Sequence, residues 1–261
     1  MLDLAAYGWA IAAMLVVVLT FWVVSLVRRD VSVVDSLWSL MFLLVVGVYQ
    51  HLANTAGPRS WLVLGLVAVW ALRLAIYIAV RNHGEPEDRR YQAIRRNNEP
   101  NFGFKSLYIV FGLQAALAAF ISLPLLVASS ASSSLGWLDA IGVFLWLIGM
   151  FFEVVGDAQL ARFRADPASE GKVLDSGLWR FTRHPNYFGE FTLWWGYYCL
   201  ALAAGGWWTV LSPVLMSFLL LKVSGVVLLE KDIGHRRAGY AEYIRRTNAF
   251  FPGLPRPRAQ F

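Results

Sequence analysis

Cysteine is nearly absent from this 261-residue chain: the single one, Cys199, stands inside an apolar run. No internal disulfide can form, and the Cys/His spacings that hold zinc do not occur. A disulfide scaffold is excluded, and no metal site is expected. Charge is scarce too, with Asp, Glu, Lys and Arg making up 15% of the residues, where soluble domains carry about a quarter. No glycine-rich dinucleotide fingerprint and no phosphate-binding P-loop is present. A soluble-type nucleotide domain is therefore excluded, and any cofactor must bind elsewhere. Repeats and low-complexity tails are also lacking.

Apolar residues are abundant. They form 58% of the chain, more than a soluble globule of this size can hide. Seven runs reach membrane-spanning length, over about 4–27, 33–50, 61–80, 106–128, 136–156, 186–203 and 208–229. Polar segments 81–105 and 157–184 and a tail from 230 to 261 separate or follow them. The first run has no basic region before it and no small-residue cleavage site after it, so it reads as a retained helix. The expected fold is all-α, one polytopic seven-helix membrane domain over 1–261.

Basic residues orient it. Of the 23 Lys and Arg, 20 fall in segment 28–32, segments 81–105 and 157–184, and the tail. The opposite connections hold only Arg59, and Arg73 and Lys222 lie inside spans. Such asymmetry marks the basic side as cytosolic, which puts the N-terminus outside and the C-terminus in the cytosol. It also accounts for the net charge of +6, so no nucleic-acid partner is expected, and no obligatory protein partner is evident. Membrane lipid is the expected surrounding.

Ionisable groups inside spans cost roughly 2.5–3.5 kcal/mol each at a helix centre, and are kept where they face a bundle interior. Here they are Asp35, Arg73, Glu153, Glu190 and Lys222, with Glu230 at the end of the last span. Gly149, Glu153, Gly156 and Asp157 share one helical face. Gly142, Gly149 and Gly156 recur every seven residues, a stripe suited to close helix packing. Asp35, near the cytosolic start of the second span, is either an interfacial acid or a buried one that can hydrogen-bond a carbonyl. Gln114 suits an interhelical hydrogen bond.

The stretch Asp175 to Glu190 is the most informative. Pro185 is placed to open a helix, whose free N–H groups and dipole favour an anion. Arg180, Arg183 and His184 crowd that point. Asn186 and Glu190, one turn apart, share a face. In the tail, Glu230, Arg237, Tyr240 and Tyr243 interleave aromatics with charges. That spacing suits either a clamp on an adenine and its phosphates or an amphipathic surface helix.

Arg183-His184-Pro185-Asn186-Tyr187-Phe188-Gly189-Glu190, preceded by Ser176-Gly177-Leu178, resembles the signature of steroid 5α-reductase-like membrane proteins. The resemblance extends to Glu230, Tyr240, Tyr243 and Phe251-Pro252 in the tail. Val34-Asp35-Ser36-Leu37-Trp38, Trp70 to Leu74 and Asp88-Arg89-Arg90-Tyr91 resemble a bacterial branch, implying the bacterial inner membrane. The resemblance implies seven spans, NADPH as cofactor, and reduction of a carbon–carbon double bond conjugated to a ketone in a steroid-like or isoprenoid lipid. Asp157 and Arg164 look like the family's cofactor-binding acid and arginine. Asn186 and Glu190 look like its nicotinamide- and ribose-side contacts, and Arg73 like the arginine that faces the cofactor. With the cationic helix start and the tail, Arg180, Arg183, His184, Tyr187, Glu230, Arg237, Tyr240 and Tyr243 complete the expected cofactor set. Val34-Asp35 stands where the family has a Gln-Glu pair, and Trp70 stands where it has a tyrosine. Asp35, Glu153 and Tyr77 are thus the candidates for the group that polarises the ketone. The Arg-His-Pro-x-Tyr-x-Gly core is also similar in isoprenylcysteine and phospholipid methyltransferases, so a methyltransferase using S-adenosylmethionine is the alternative.

Overall fold

A computed structural model describes residues 2–54, 57–223 and 239–257. These are helices and connections, with no strand among them. Five helices are long and apolar enough to cross a membrane: α1 Leu4–Arg28, α2 Val33–Leu52, α3 Pro58–Asn82, α5 Phe102–Ser130 and α6 Trp137–Ala165. They coincide with the first five expected spans. A short polar helix, α4 Arg89–Asn98, interrupts the series. The sixth expected span falls on α7 Pro185–Ala203, of 19 residues, whose Asn, Glu, Tyr and Trp content sets it apart from the five. The seventh begins on α8 Trp207–Val223, and its remainder lies outside the described residues. A seven-residue helix, α9 Tyr240–Arg246, follows.

Local chemistry sets the ends of these helices. Asp3 caps α1, its Oδ1 accepting from the amides of Ala5 and Ala6 at 2.9 and 3.0 Å. Pro58 opens α3 where its missing N–H costs nothing. Asp88 caps α4 by accepting from the Arg90 amide at 2.9 Å. Pro185 opens α7 as expected. Within α5, Pro124 cannot donate to the carbonyl four residues back. That carbonyl, on Phe120, accepts instead from the Ser212 hydroxyl at 3.0 Å. The Ala119 carbonyl nearby takes the Tyr7 hydroxyl at 2.9 Å. Each substitution keeps a backbone group satisfied where lipid would not.

The chain forms two compact units. The first comprises Met1–Gly136 and Leu200–Ser212, the second Trp137–Cys199 and Pro213–Phe261. In the first, α2 packs between α1 and α3, and its residues Phe42, Val45, Val46 and Tyr49 are wholly buried. In the second, α6 and α7 run in contact along their glycines. A Cβ placed on Gly149 would meet the Gly189 carbonyl, one on Gly196 the Gly142 carbonyl, and one on Gly156 the Pro185 ring. The seven-residue glycine stripe is therefore a helix-packing seam. Glu153 and Asp157 lie buried on the same face of α6.

Candidate active site

In the first unit the chemistry gathers around Asp35. It sits in the first turn of α2 without capping that helix, and its side chain is only 13% exposed. Tyr91 Oη donates to Asp35 Oδ1 at 2.5 Å, and Arg90 Nη2 donates to Oδ2 at 2.7 Å. Gln114 Nε2 donates to the Tyr91 hydroxyl at 3.2 Å, the interhelical bond expected of it. The phenol thus stands between a carboxylate that accepts its hydrogen bond and an amide that donates one to it.

The approach to Asp35 is fastened from outside the spans. Arg90 Nε also donates to Asp88 Oδ1 at 3.0 Å, and the Asp88 amide donates to Ser32 Oγ at 2.8 Å. Glu87 accepts from the Val31 amide at 2.9 Å and from Arg95 at 2.7 and 2.9 Å. The Arg95 guanidinium lies 4.5 Å over the Phe102 ring. Segment 87–95 is in this way tied to the turn between α1 and α2.

Electrostatics follow from this enclosure. Burial pushes the Tyr91 hydroxyl well above the ordinary tyrosine range, and the Asp35 charge and hydrogen bond push it further. Tyr91 therefore keeps its proton at neutral pH. Burial opposes the charge on Arg90, but Asp35 and Asp88 outweigh it and hold the guanidinium protonated. Burial likewise opposes the charge on Asp88, and the hydrogen bonds and charge of Arg90 bring its carboxyl below the usual range.

Arg73, on α3, has its guanidinium carbon 5.8 Å over the Tyr77 ring one turn on, with Nη1 buried. Two of the three expected carbonyl-polarising candidates, Asp35 and Tyr77, thus lie in the first unit, each beside an arginine. The third, Glu153, belongs to the second unit and is 3% exposed.

In the second unit the end of α6 meets the start of α7. Asn186 Nδ2 donates to Asp157 Oδ1 at 3.1 Å, so the expected cofactor acid and amide are hydrogen-bonded partners. Trp179 Nε1 donates to the Gly156 carbonyl at 3.1 Å, and the Leu178 amide to Gln159 Oε1 at 3.0 Å. Gly177 takes the left-handed φ of 58° that this tight approach demands. Glu190 is buried and accepts from Trp194 Nε1 at 2.9 Å. The His184 ring stacks nearly parallel on Tyr187, with centroids 5.8 Å apart. Arg164 and Arg180 are exposed at the margin.

The remaining expected residues divide. Arg183 is buried and its Nη1 donates to the Thr247 and Ile244 carbonyls, at 2.6 and 3.3 Å. Tyr240 and Tyr243 are buried, their rings 5.8 Å apart. Tyr243 Oη donates to the Trp179 carbonyl at 2.6 Å. Glu230 and Arg237 lie outside the described residues. The residues that spacing alone missed are Arg90, Tyr91 and Glu87. A signal was available: α4 reads Arg-Arg-Tyr-Gln-Ala-Ile-Arg-Arg-Asn-Asn, and Tyr91 and Ile94, three apart, give it one apolar face.

Asn186, Asp157 and Glu190 bring an amide and two carboxyl groups together where α6 meets α7, able to bond hydroxyls and an amide. That donor set fits a nucleotide cofactor.

The family model described as "Protein of unknown function (DUF1295)" matches residues 21–247. An uncharacterized protein of Schizosaccharomyces pombe is 26% identical over 269 residues, spanning 89% of this chain and 76% of that protein. The 3-oxo-5-alpha-steroid 4-dehydrogenase 1 of Bos taurus is 35% identical over 66 residues, 25% of this chain and 26% of the bovine protein. No solved structure matches.

Proposed function

The chain belongs to this family of unknown function, DUF1295, and from that premise we propose that it is an integral membrane reductase. It takes NADPH from the cytosol and reduces a carbon–carbon double bond conjugated to a ketone in a steroid-like or isoprenoid lipid that enters from the bilayer. The observation that carries this reading is the Asn186–Asp157 hydrogen bond beside buried Glu190. It brings together side chains that the resemblance to steroid 5α-reductase-like proteins assigns to one cofactor. The local similarity to the bovine dehydrogenase supports the same class of reaction.

Asn186, Asp157 and Glu190 would hold the cofactor, with Arg164 and Arg180 meeting its phosphates. When bound, NADPH would supply the hydride. The first unit, taken by itself, holds a hydroxyl able to polarise a carbonyl. Tyr91 keeps its proton and shares it with Asp35 Oδ1. Turned to a ketone oxygen, the same O–H stabilises the negative charge that develops there. Arg90 balances the carboxylate that the phenol leaves behind. Tyr91, oriented by Asp35, joins Asp35, Glu153 and Tyr77 as a candidate for the carbonyl-polarising group.

We further propose seven spans in a bacterial inner membrane, with the N-terminus outside and segments 81–105 and 157–184 in the cytosol. Single cysteines at Arg96 and Ser134, introduced in a Cys199→Ser background, test this. A membrane-impermeant thiol reagent should label position 134 from outside and position 96 only after lysis.

The activity is tested with the purified protein in lipid nanodiscs, NADPH and a 3-oxo-Δ4-steroid. Loss of NADPH absorbance that depends on the steroid supports the reading. Binding of S-adenosylmethionine without binding of NADPH would replace it with a lipid methyltransferase.

A further inference from the structure

Residues 240–253 form a strap across the residues that lead into α7. The Arg183 amide donates to the Asn248 carbonyl at 2.9 Å, and the Gly253 amide to the Phe181 carbonyl at 3.0 Å. Thr182, fully buried, donates its hydroxyl to the Phe250 carbonyl at 2.7 Å. Tyr243 Oη reaches the Trp179 carbonyl. The strap is then pinned onto α7 by rings. Phe250 lies 5.5 Å from Phe191 and 6.2 Å from Phe188, and Phe251 lies at 5.7 and 6.2 Å from the same two. Phe188 and Phe191 share the first turns of α7 with Asn186 and Glu190.

Arg183 stands at the centre of this strap. Its backbone N–H and its Nη1 both donate into residues 244–248, and the guanidinium donates to the carbonyls that end α9. A cation suits a helix C-terminus, where the last carbonyls lack partners and carry partial negative charge. The residue is 9% exposed. A residue held so cannot serve as a solvent-facing phosphate ligand without releasing the tail.

We infer that Arg183 is a positioning residue, a latch that closes the C-terminal strap over the start of α7 and so preorganises the nucleotide site, rather than a contact to the cofactor's phosphates. This rests on the nucleotide-binding reading, but its structural half is testable without any cofactor. Thr182 serves the same latch through a neutral group, which gives the means to separate the two roles.

The experiment compares wild type, Arg183→Ala, Arg183→Lys and Thr182→Val in nanodiscs. The first readout is amide hydrogen exchange over 240–253. The latch requires exchange there to rise roughly tenfold or more in Arg183→Ala and in Thr182→Val, as loss of a buried hydrogen bond allows. Lysine, which keeps the charge and a donor nitrogen, should restore most of the protection. The second readout is KM for NADPH and for NADH against kcat. A latch raises both KM values by a similar factor, in Thr182→Val as in Arg183→Ala, with little change in kcat. Unchanged exchange in both variants would overturn the inference. So would a KM effect confined to NADPH and to Arg183, because that marks a phosphate ligand. Failure of the wild type to bind either nucleotide would sink the reductase reading and leave the latch to be decided by exchange.

Discussion

Gly149 and Gly189 touch backbone to backbone. A Cβ on Gly149 would stand 2.6 Å from the Gly189 carbonyl oxygen, and one on Gly189 would stand 2.5 Å from that of Gly149. Neither obstacle is a side chain that can rotate away, so a methyl group at either site must push α6 and α7 apart. Gly149→Ala and Gly189→Ala should each destabilise the protein by about 1–3 kcal/mol. Gly47→Ala and Gly65→Ala, which meet nothing within 4 Å, should leave stability unchanged or slightly raised. Thermal unfolding in detergent compares the four. Equal melting temperatures across the set would contradict the close approach.

The Asp35–Arg90 ion pair couples α2 to α4 at 2.7 Å, with Asp35 largely shielded and Arg90 partly exposed. Asp35→Asn and Arg90→Gln should each lower stability. The double variant should lose less than the sum of the two, by about 1–2 kcal/mol, because either change already breaks the pair. A strictly additive cycle would mean the pair contributes nothing. Activity should fall in all three variants, since Tyr91 loses its orienting partner.

Tyr91 offers a test on the alkaline side. Its hydroxyl is held above the ordinary tyrosine range by burial and by Asp35. A group whose value is raised on folding contributes stability that is complete below its unfolded value and disappears as pH climbs through the folded one. The attachment of α4 should therefore persist through neutral pH and weaken only above about pH 10, the unperturbed tyrosine value. The wild-type minus Tyr91→Phe difference spectrum should show no phenolate signal at the pH where exposed tyrosines are half ionised. A signal there would place Tyr91 in water.

Acid acts on the same attachment through Asp88. The Arg90 hydrogen bond and charge, working against burial, hold its carboxyl below the usual range. A depressed value gives stability that is present above the unfolded value and is lost as pH falls through the folded one. Hydrogen exchange over 88–96 should stay slow at mildly acidic pH and rise only below the ordinary aspartate range. In Asp88→Asn that acid step should be diminished, and an identical acid profile in both proteins would remove Asp88 from the account.

Glu190 needs a variant chosen with its neighbour in mind. Removing the side chain orphans the buried Trp194 indole N–H, which costs about 1–3 kcal/mol. Glu190→Ala therefore confounds folding with function. Glu190→Gln keeps an acceptor oxygen for the indole and replaces only the ionisable group by an amide. We expect the melting temperature of Glu190→Gln to match wild type and its NADPH affinity to fall at least tenfold. Unchanged affinity would withdraw Glu190 from the cofactor set.

Much of the helix plan was legible because lipid enforces a simple pattern. Long apolar runs announced α1, α2, α3, α5 and α6, and Pro185 announced the start of α7. The heptad of Gly142, Gly149 and Gly156 announced a packing face, and the structure supplies its partners Gly196, Gly189 and Pro185. What stayed hidden was the work of polar residues in the loops. Arg89 to Asn98 carries many charges on a short helix, and its one apolar face, Tyr91 and Ile94, shows which side packs but not that Arg90 reaches Asp35. Arg183 was legible as a cation near a helix start, yet it serves the end of a different helix, because residues 60 or more positions apart meet there.

The sequence by itself determined that this protein is helical and built for a bilayer, and which stretches are apolar enough to cross it. Those properties follow from local composition and period, which act over a few turns. Only the tertiary structure decided that Tyr91 shares its proton with Asp35 and that Asn186 bonds Asp157. These pairings join residues 56 and 29 positions apart, and the direction of a side chain across such a distance is set by how helices pack rather than by the residues beside it.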